Sequence, residues 1–236
     1  MTEKKVSRKP HEGGASRQGG GWFDGLSDRK KDLVCAGFML LVVYVLFWKV
    51  ISSNMDLAAS GPGDFVATHN WVNALDHIRE TEGVDALWMP CLYGGMPVAS
   101  SLLFPRGVNY LETGLTWVAG IVFGFSDAHY FLLHVFLSGL FMYMLARSLK
   151  LPHLGALLAG CVYMLNPYAI GLGASFHWSK LAVFSYIPLL FLLTRRLVER
   201  KDLLTFGLLS ATVGTMFLNR HPQIAFYGML LVGSYF

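Results

Sequence analysis

Residues 33–51 read LVCAGFMLLVVYVLFWKVI. A single charge, Lys49, interrupts the run, and it stands near the end, where its aliphatic stem can carry the ammonium out to a headgroup. A run of this length and character fits the hydrocarbon thickness of a bilayer as one helix. The competing reading is a cleaved leader, since Ala58, Ala59 and Ser60 offer small residues downstream. The hydrophilic lead is too long and the apolar run too extended for that, so an uncleaved anchor is expected.

The lead, residues 1–32, holds thirteen of the 34 charged side chains and six glycines, and it reads as a disordered basic tail. Trp22 and Phe23 are placed to touch a membrane interface, and Arg29, Lys30 and Lys31 stand just before the apolar run. The chain as a whole is 54% hydrophobic and 14% charged, with mean hydropathy +0.46. A soluble domain is about 25% charged. Such a chain cannot cover its exterior with charge, so lipid is the expected solvent for residues 33–236. The net charge of +4 does not indicate nucleic acid, because the excess sits in the tail and in short loops, where membrane topology puts it. Cys35, Cys91 and Cys161 are too few and too scattered for a disulfide framework, and no Cys/His spacing resembles a zinc site.

Residues 52–127 form a loop region. Phe65, Trp71, Val72, Leu75 and Ile78 recur at helical spacing, so 64–82 is expected to be an amphipathic helix. Gly83, Pro90, Gly94, Gly95 and Pro97 then break the chain. Further apolar runs fall at about 108–125, 128–146, 152–172, 181–194, 203–218 and 224–236. If 108–125 spans, the basic loops at Arg147/Lys150 and at Arg195, Arg196, Arg200, Lys201 lie outside, against the positive-inside rule. If 108–125, with Glu112 and its glycines, is re-entrant or interfacial, both loops lie inside with the tail. The second reading is adopted: an all-α, polytopic transmembrane helical bundle, N-terminus cytoplasmic, with spans at 33–51 and within 128–236. Its final run is only 13 residues long, against the roughly 20 a span needs, so the chain is expected to be the front of a longer protein.

This topology gathers three polar clusters on the outer side. Asp64, in Gly63-Asp64-Phe65, reads either as a helix N-cap or as a carboxylate that deprotonates an acceptor hydroxyl. His177 and Lys180, three apart, share a face if helical; Lys180 either snorkels or contacts a phosphate. Asn219, Arg220, His221 and Gln223 supply many donors in five residues, either as a solvated loop whose Pro222 starts a helix or as a binding segment. Tyr93-Gly94-Gly95-Met96-Pro97 is a tight turn that allows close approach by another group and has no phosphate-loop pattern. His129, His134 and His153 read as helix-packing histidines, and Asp76, Glu80, Glu82 and Asp85 as the wet face of the loop helix.

Four segments in order carry a resemblance: Gly63-Asp64; Leu87-Trp88-Met89-Pro90 with Tyr93-Gly94-Gly95-Met96-Pro97; Phe176-His177-Trp178-Ser179-Lys180-Leu181-Ala182 with Tyr186-Ile187-Pro188; and Asn219-Arg220-His221-Pro222-Gln223-Ile224 with Phe226-Tyr227. Residues 33–236 resemble the N-terminal part of the bacterial YfhO-like membrane proteins, which are similar to the GT-C class of polytopic glycosyltransferases. Met89 stands where members often have Asn, and full members are several times longer. The resemblance implies transfer of a sugar from a polyprenyl-phosphate-linked donor to an acceptor on the outer face of a bacterial inner membrane. It implies Asp64 as the essential carboxylate of the first outer loop, and His177, Lys180, Asn219, Arg220, His221 and Gln223 at donor-binding positions. Some members of the class use a divalent metal; no spacing here indicates one. The alternatives are a transporter or flippase whose outer cavity carries His177, Lys180 and Arg220, and a non-catalytic membrane scaffold.

Overall fold

The computed structural model describes residues 21–52, 63–84, 86–89, 94–98, 109–126, 128–219 and 221–236, and for 63–69 and 72 it describes the backbone. These residues are almost entirely helical: α1 Asp28–Leu46, α2 Trp48–Ser52, α3 Gly63–Glu82, α4 Tyr110–Phe123, α5 His129–Ser148, α6 His153–Met164, α7 Pro167–Ala174, α8 Trp178–Arg200, α9 Leu203–Leu218 and α10 Pro222–Tyr235. Among the described residues the departure from all-α is a pair of two-residue strands, β1 Trp88–Met89 and β2 Met96–Pro97, antiparallel with Trp88 opposite Pro97. Gly94 and Gly95 turn between them with φ of 76° and 118°, values that L side chains rarely adopt. The Trp88 indole lies so close over Gly95 that a Cβ there would sit 2.6 Å from the ring.

Helix ends follow local chemistry. The expected span at 152–172 is two helices, because Pro167 has no N–H to continue α6. Asn166 restarts the helix by accepting from the Ala169 N–H at 2.9 Å. Asp202 caps α9 in the same way, accepting from Thr205 N at 2.8 Å. The short run at 181–194 extends in both directions into a 23-residue helix, and Pro188 lies inside it. Pro188 cannot donate to the carbonyl of Phe184 one turn back. The Tyr163 hydroxyl of α6 takes that carbonyl at 3.1 Å, and the two rings stack at 4.6 Å.

Among the described residues, three helical segments are long and apolar enough to cross a membrane: α5, the α6–α7 pair over His153–Ala174, and α8. A 23-residue helix is about 34 Å long, close to the roughly 30 Å hydrocarbon core. α5 and α8 form the centre, with α1 and α6 packed on α5 and with α9 and α10 on α8. One core joins α1, α4, α5, α6, α7 and the start of α8; another joins α8, α9 and α10 around Val183, Tyr186, Leu190, Met216, Ala225 and Val232. Large apolar side chains cover much of the outside, among them Leu41, Trp117, Leu154, Leu158 and Leu203, the last 84% exposed.

The bundle has two distinct ends. At the first, Asp32 of α1 lies 3.6 Å from Arg147 of α5 and 3.3 Å from His153 of α6, and accepts from the Tyr143 hydroxyl at 2.6 Å. Arg195 of α8 donates to the carbonyl of Ser148 at 3.1 Å, so the basic segments meet at this end. At the opposite end, α4 lies across the bundle. Asn109, its N-cap, donates to the Thr215 carbonyl and to Asn219 at the end of α9, while the carbonyl of Val122 accepts from Tyr44 near the end of α1.

Candidate functional site

The end crossed by α4 holds the described members of the expected cluster. His177 precedes α8, Lys180 lies in its first turn, Asn219 closes α9 and His221 precedes α10. Burial, and then the charges of Lys180 and His177, hold the His221 imidazole below its ordinary value. Two helix starts and one interhelix link therefore bring three nitrogen bases within electrostatic reach of one another. Among the described residues no carboxylate pairs with Lys180, and the buried Nδ1 of His221 has no hydrogen-bond partner. This donor set suits an anion. It is a poor match to a hard divalent cation, which takes oxygen ligands, since the Lys180 ammonium repels one and no described carboxylate joins the two imidazoles; no three His, Cys, Asp or Glu side chains gather among the described residues.

The remaining expected site residues fare differently. Gln223 is exposed and donates to Tyr227 on its own helix at 2.9 Å, outside the cluster. Arg220 and Tyr93 lie outside the described residues. Asp64 is not the residue before the helix: α3 starts at Gly63, which puts Asp64 inside the first turn, and its side chain lies outside the described ones. Gly94, Gly95, Met96 and Pro97 form the hairpin turn and β2, and the nearby apolar contacts are with Trp71, Ala74 and Leu75 of α3.

Beneath α4 lies a second polar group that the sequence reading did not assemble. Glu112, in the first turn of α4, is 5% exposed, and His134 of α5 is fully buried. His134 Nε2 stands 2.5 Å from Glu112 Oε1, and the Tyr186 hydroxyl donates to Oε2 at 2.7 Å. The Ser185 hydroxyl donates to the Ala182 carbonyl at 2.7 Å and lies 3.0 Å from His134 Nδ1. With that proton committed, Ser185 accepts, so Nδ1 carries a hydrogen. A single further proton lies between Nε2 and Oε1, and the pair is neutral overall whichever atom holds it. The Asn219 amide lies near this carboxylate, its buried Nδ2 without a hydrogen-bond partner, and joins the buried group to the cationic cluster through the α9–α10 link.

The expectation that His134 is a packing histidine captures its burial but misses its partner. The available signal was Glu112, the one acid in the apolar run 108–125, and Asn109 just before it. His129 contacts the Ser126 carbonyl, and His153 faces Asp32 at the other end. No family model matches the chain, no curated protein matches it, and no solved structure does.

Proposed function

We propose that this is a multi-pass membrane protein of the inner membrane, N-terminus cytoplasmic, that transfers a sugar from a polyprenyl-phosphate-linked donor at the outer face. One observation carries this reading: His177, Lys180 and His221 converge at the end opposite the basic loops, with no described carboxylate paired to Lys180. Charge builds on the departing lipid phosphate during transfer, and fixed cations at a dry boundary stabilise it. Lys180 supplies a permanent charge, and His221, neutral in the free site, takes up a proton as the phosphate charge develops. Arg220 adds a second permanent charge in this scheme, and Asp64 acts as general base toward the acceptor hydroxyl. No step uses a metal.

The test is sugar transfer by the whole protein in membranes. Asp64→Asn and Lys180→Ala are each expected to abolish transfer, with normal insertion and yield. Retained transfer by Asp64→Asn removes Asp64 from the scheme. A second reading, a transporter, is favoured by the ionisable Glu112–His134 pair inside the bundle. Substrate flux across vesicles without covalent product would select it.

A further inference from the structure

Glu112 is held in a way that resembles a bound ligand. Its carboxylate accepts from Tyr186 of α8, shares a proton with His134 of α5 and faces the Asn219 amide at the end of α9. Those three groups come from the fixed bundle, whereas the carboxylate comes from a helix that lies across it. Behind His134, Ser185 accepts from Nδ1, so an anion at Nε2 is held together with one proton shared with the ring. Tyr130 packs on the His134 ring at 4.6 Å, so the titratable groups facing this place are His134 and Tyr130 of α5, Tyr186 of α8 and Glu112 itself. The outward face of α4 carries Tyr110, Trp117, Val118 and Ile121, all exposed. At its C-terminal end Gly124 has a φ of 85°, a conformation that ends the helix and favours glycine.

Burying a carboxylate and an imidazole inside an apolar bundle is costly, and a leucine pair would pack α4 as well. The arrangement also ends two residues from His221, whose Nδ1 is without a partner. We propose that His134, Tyr186 and Asn219 form an oxyanion niche, that Glu112 is its resident occupant, and that a phosphate oxygen of a ligand replaces Glu112 when α4 lifts. The choice of phosphate rests on the donor reading above; the niche itself does not. The ligand's charge is then shared between the niche and the Lys180–His221 cluster, and α4 serves as a lid whose own acid keeps the niche closed against water.

The experiment uses the full chain in nanodiscs and has two arms. In the first, Glu112→Ala empties the niche. Acetate, against chloride at equal ionic strength, is expected to raise its unfolding midpoint by roughly 5–10 °C at a hundredfold excess over Kd and to leave the wild type unmoved. Adding Tyr186→Phe is expected to remove most of that rise. If Glu112→Ala folds only when acetate is in the growth medium, that is the same positive result; failure to fold or respond with acetate overturns the niche.

The second arm reads amide hydrogen exchange over Tyr110–Thr116 in the wild type. Pyrophosphate in solution, or phosphatidic acid in the disc without pyrophosphate, is expected to accelerate exchange there, and whichever does so identifies the source of the phosphate. Pyrophosphate that binds without changing exchange at α4 leaves the cation cluster standing and overturns the displacement of Glu112. If neither source binds at all, the donor-phosphate reading fails, and the acetate arm decides the niche alone.

Discussion

Single residues at the crossed end set both stability and proton linkage. The Tyr186 hydroxyl is one of two groups hydrogen-bonded to a buried carboxylate. Tyr186→Phe keeps the ring and its packing on Phe141, so its loss isolates that bond. About 2 kcal/mol of stability should go, measured by denaturant unfolding in detergent, as expected for a hydrogen bond to a charged group. His221 gives a pH signature. Its folded value lies below the ordinary one of about 6.5, so between the two the unfolded chain binds more protons. The stability it contributes is complete above about pH 6.5 and falls away as pH drops through the folded value. Anion binding runs the other way, because a bound anion restores the proton. Sulfate, which does not titrate in this range, should bind up to about tenfold more tightly per pH unit lost for one linked proton. His221→Gln should flatten that slope when binding is followed by calorimetry; an unchanged slope would place the proton elsewhere. The residue types in this cluster were readable, since His177, Lys180, Asn219 and His221 stand at the ends of apolar runs. The Glu112–His134 pair was not. The two are 22 positions apart, and their meeting depends on α4 turning across the bundle, which neither hydropathy nor charge specifies.

Elements were legible where the chain carries its own stop and start signals. His221-Pro222 reads as a helix start; Asn166-Pro167 and Asp202 mark starts by the same chemistry within one turn, but the apolar run 152–172 masks the first. The length of α8 was underestimated because Arg195, Arg196, Glu199 and Arg200 look like a loop, yet Arg195 and Glu199 pair at 2.9 Å along a continuing helix. How elements dock was less legible, because it turns on backbone groups. The Phe184 carbonyl, orphaned by Pro188, is satisfied by Tyr163 across the α6–α8 contact. Tyr163→Phe should cost about 1–3 kcal/mol by leaving that carbonyl bare. Pro188→Ala restores an N–H to the helix, so in that background the same change should cost little; a double-mutant cycle measures the coupling. The α5–α6 contact depends on Gly160, where a Cβ would meet the Gly139 carbonyl at 2.8 Å. Backbone cannot swing aside as a side chain can, so Gly160→Ala should lose about 1–3 kcal/mol, while Gly171→Ala, with open space around it, should lose far less.

At the scale of the molecule, polarity separates by end. Asp32, Arg147, His153 and Arg195 gather at one, and His177, Lys180, Asn219 and His221 at the other. Between them the exterior is apolar over Leu41, Leu154, Leu158 and Leu208. Water would not sustain such a surface on a monomer, whereas a bilayer matches it. The placement of α4 decides the polarity of the whole arrangement. Because α4 crosses one end instead of spanning, α1 and α5 each run between the two ends without an extra traverse between them. The basic segments therefore share an end with the start of α1, the end that the proposed topology puts in the cytoplasm. Ser148→Cys and Trp178→Cys, each placed singly in a background with Cys35, Cys91 and Cys161 replaced, report the two ends. A membrane-impermeant maleimide added to intact spheroplasts should label position 178 and spare 148, and permeabilisation should expose 148. Labelling of 148 from outside would invert the molecule. It would place the His177–Lys180–His221 cluster in the cytoplasm and withdraw the outer-face donor from the proposed reaction, while leaving every contact within the bundle as described.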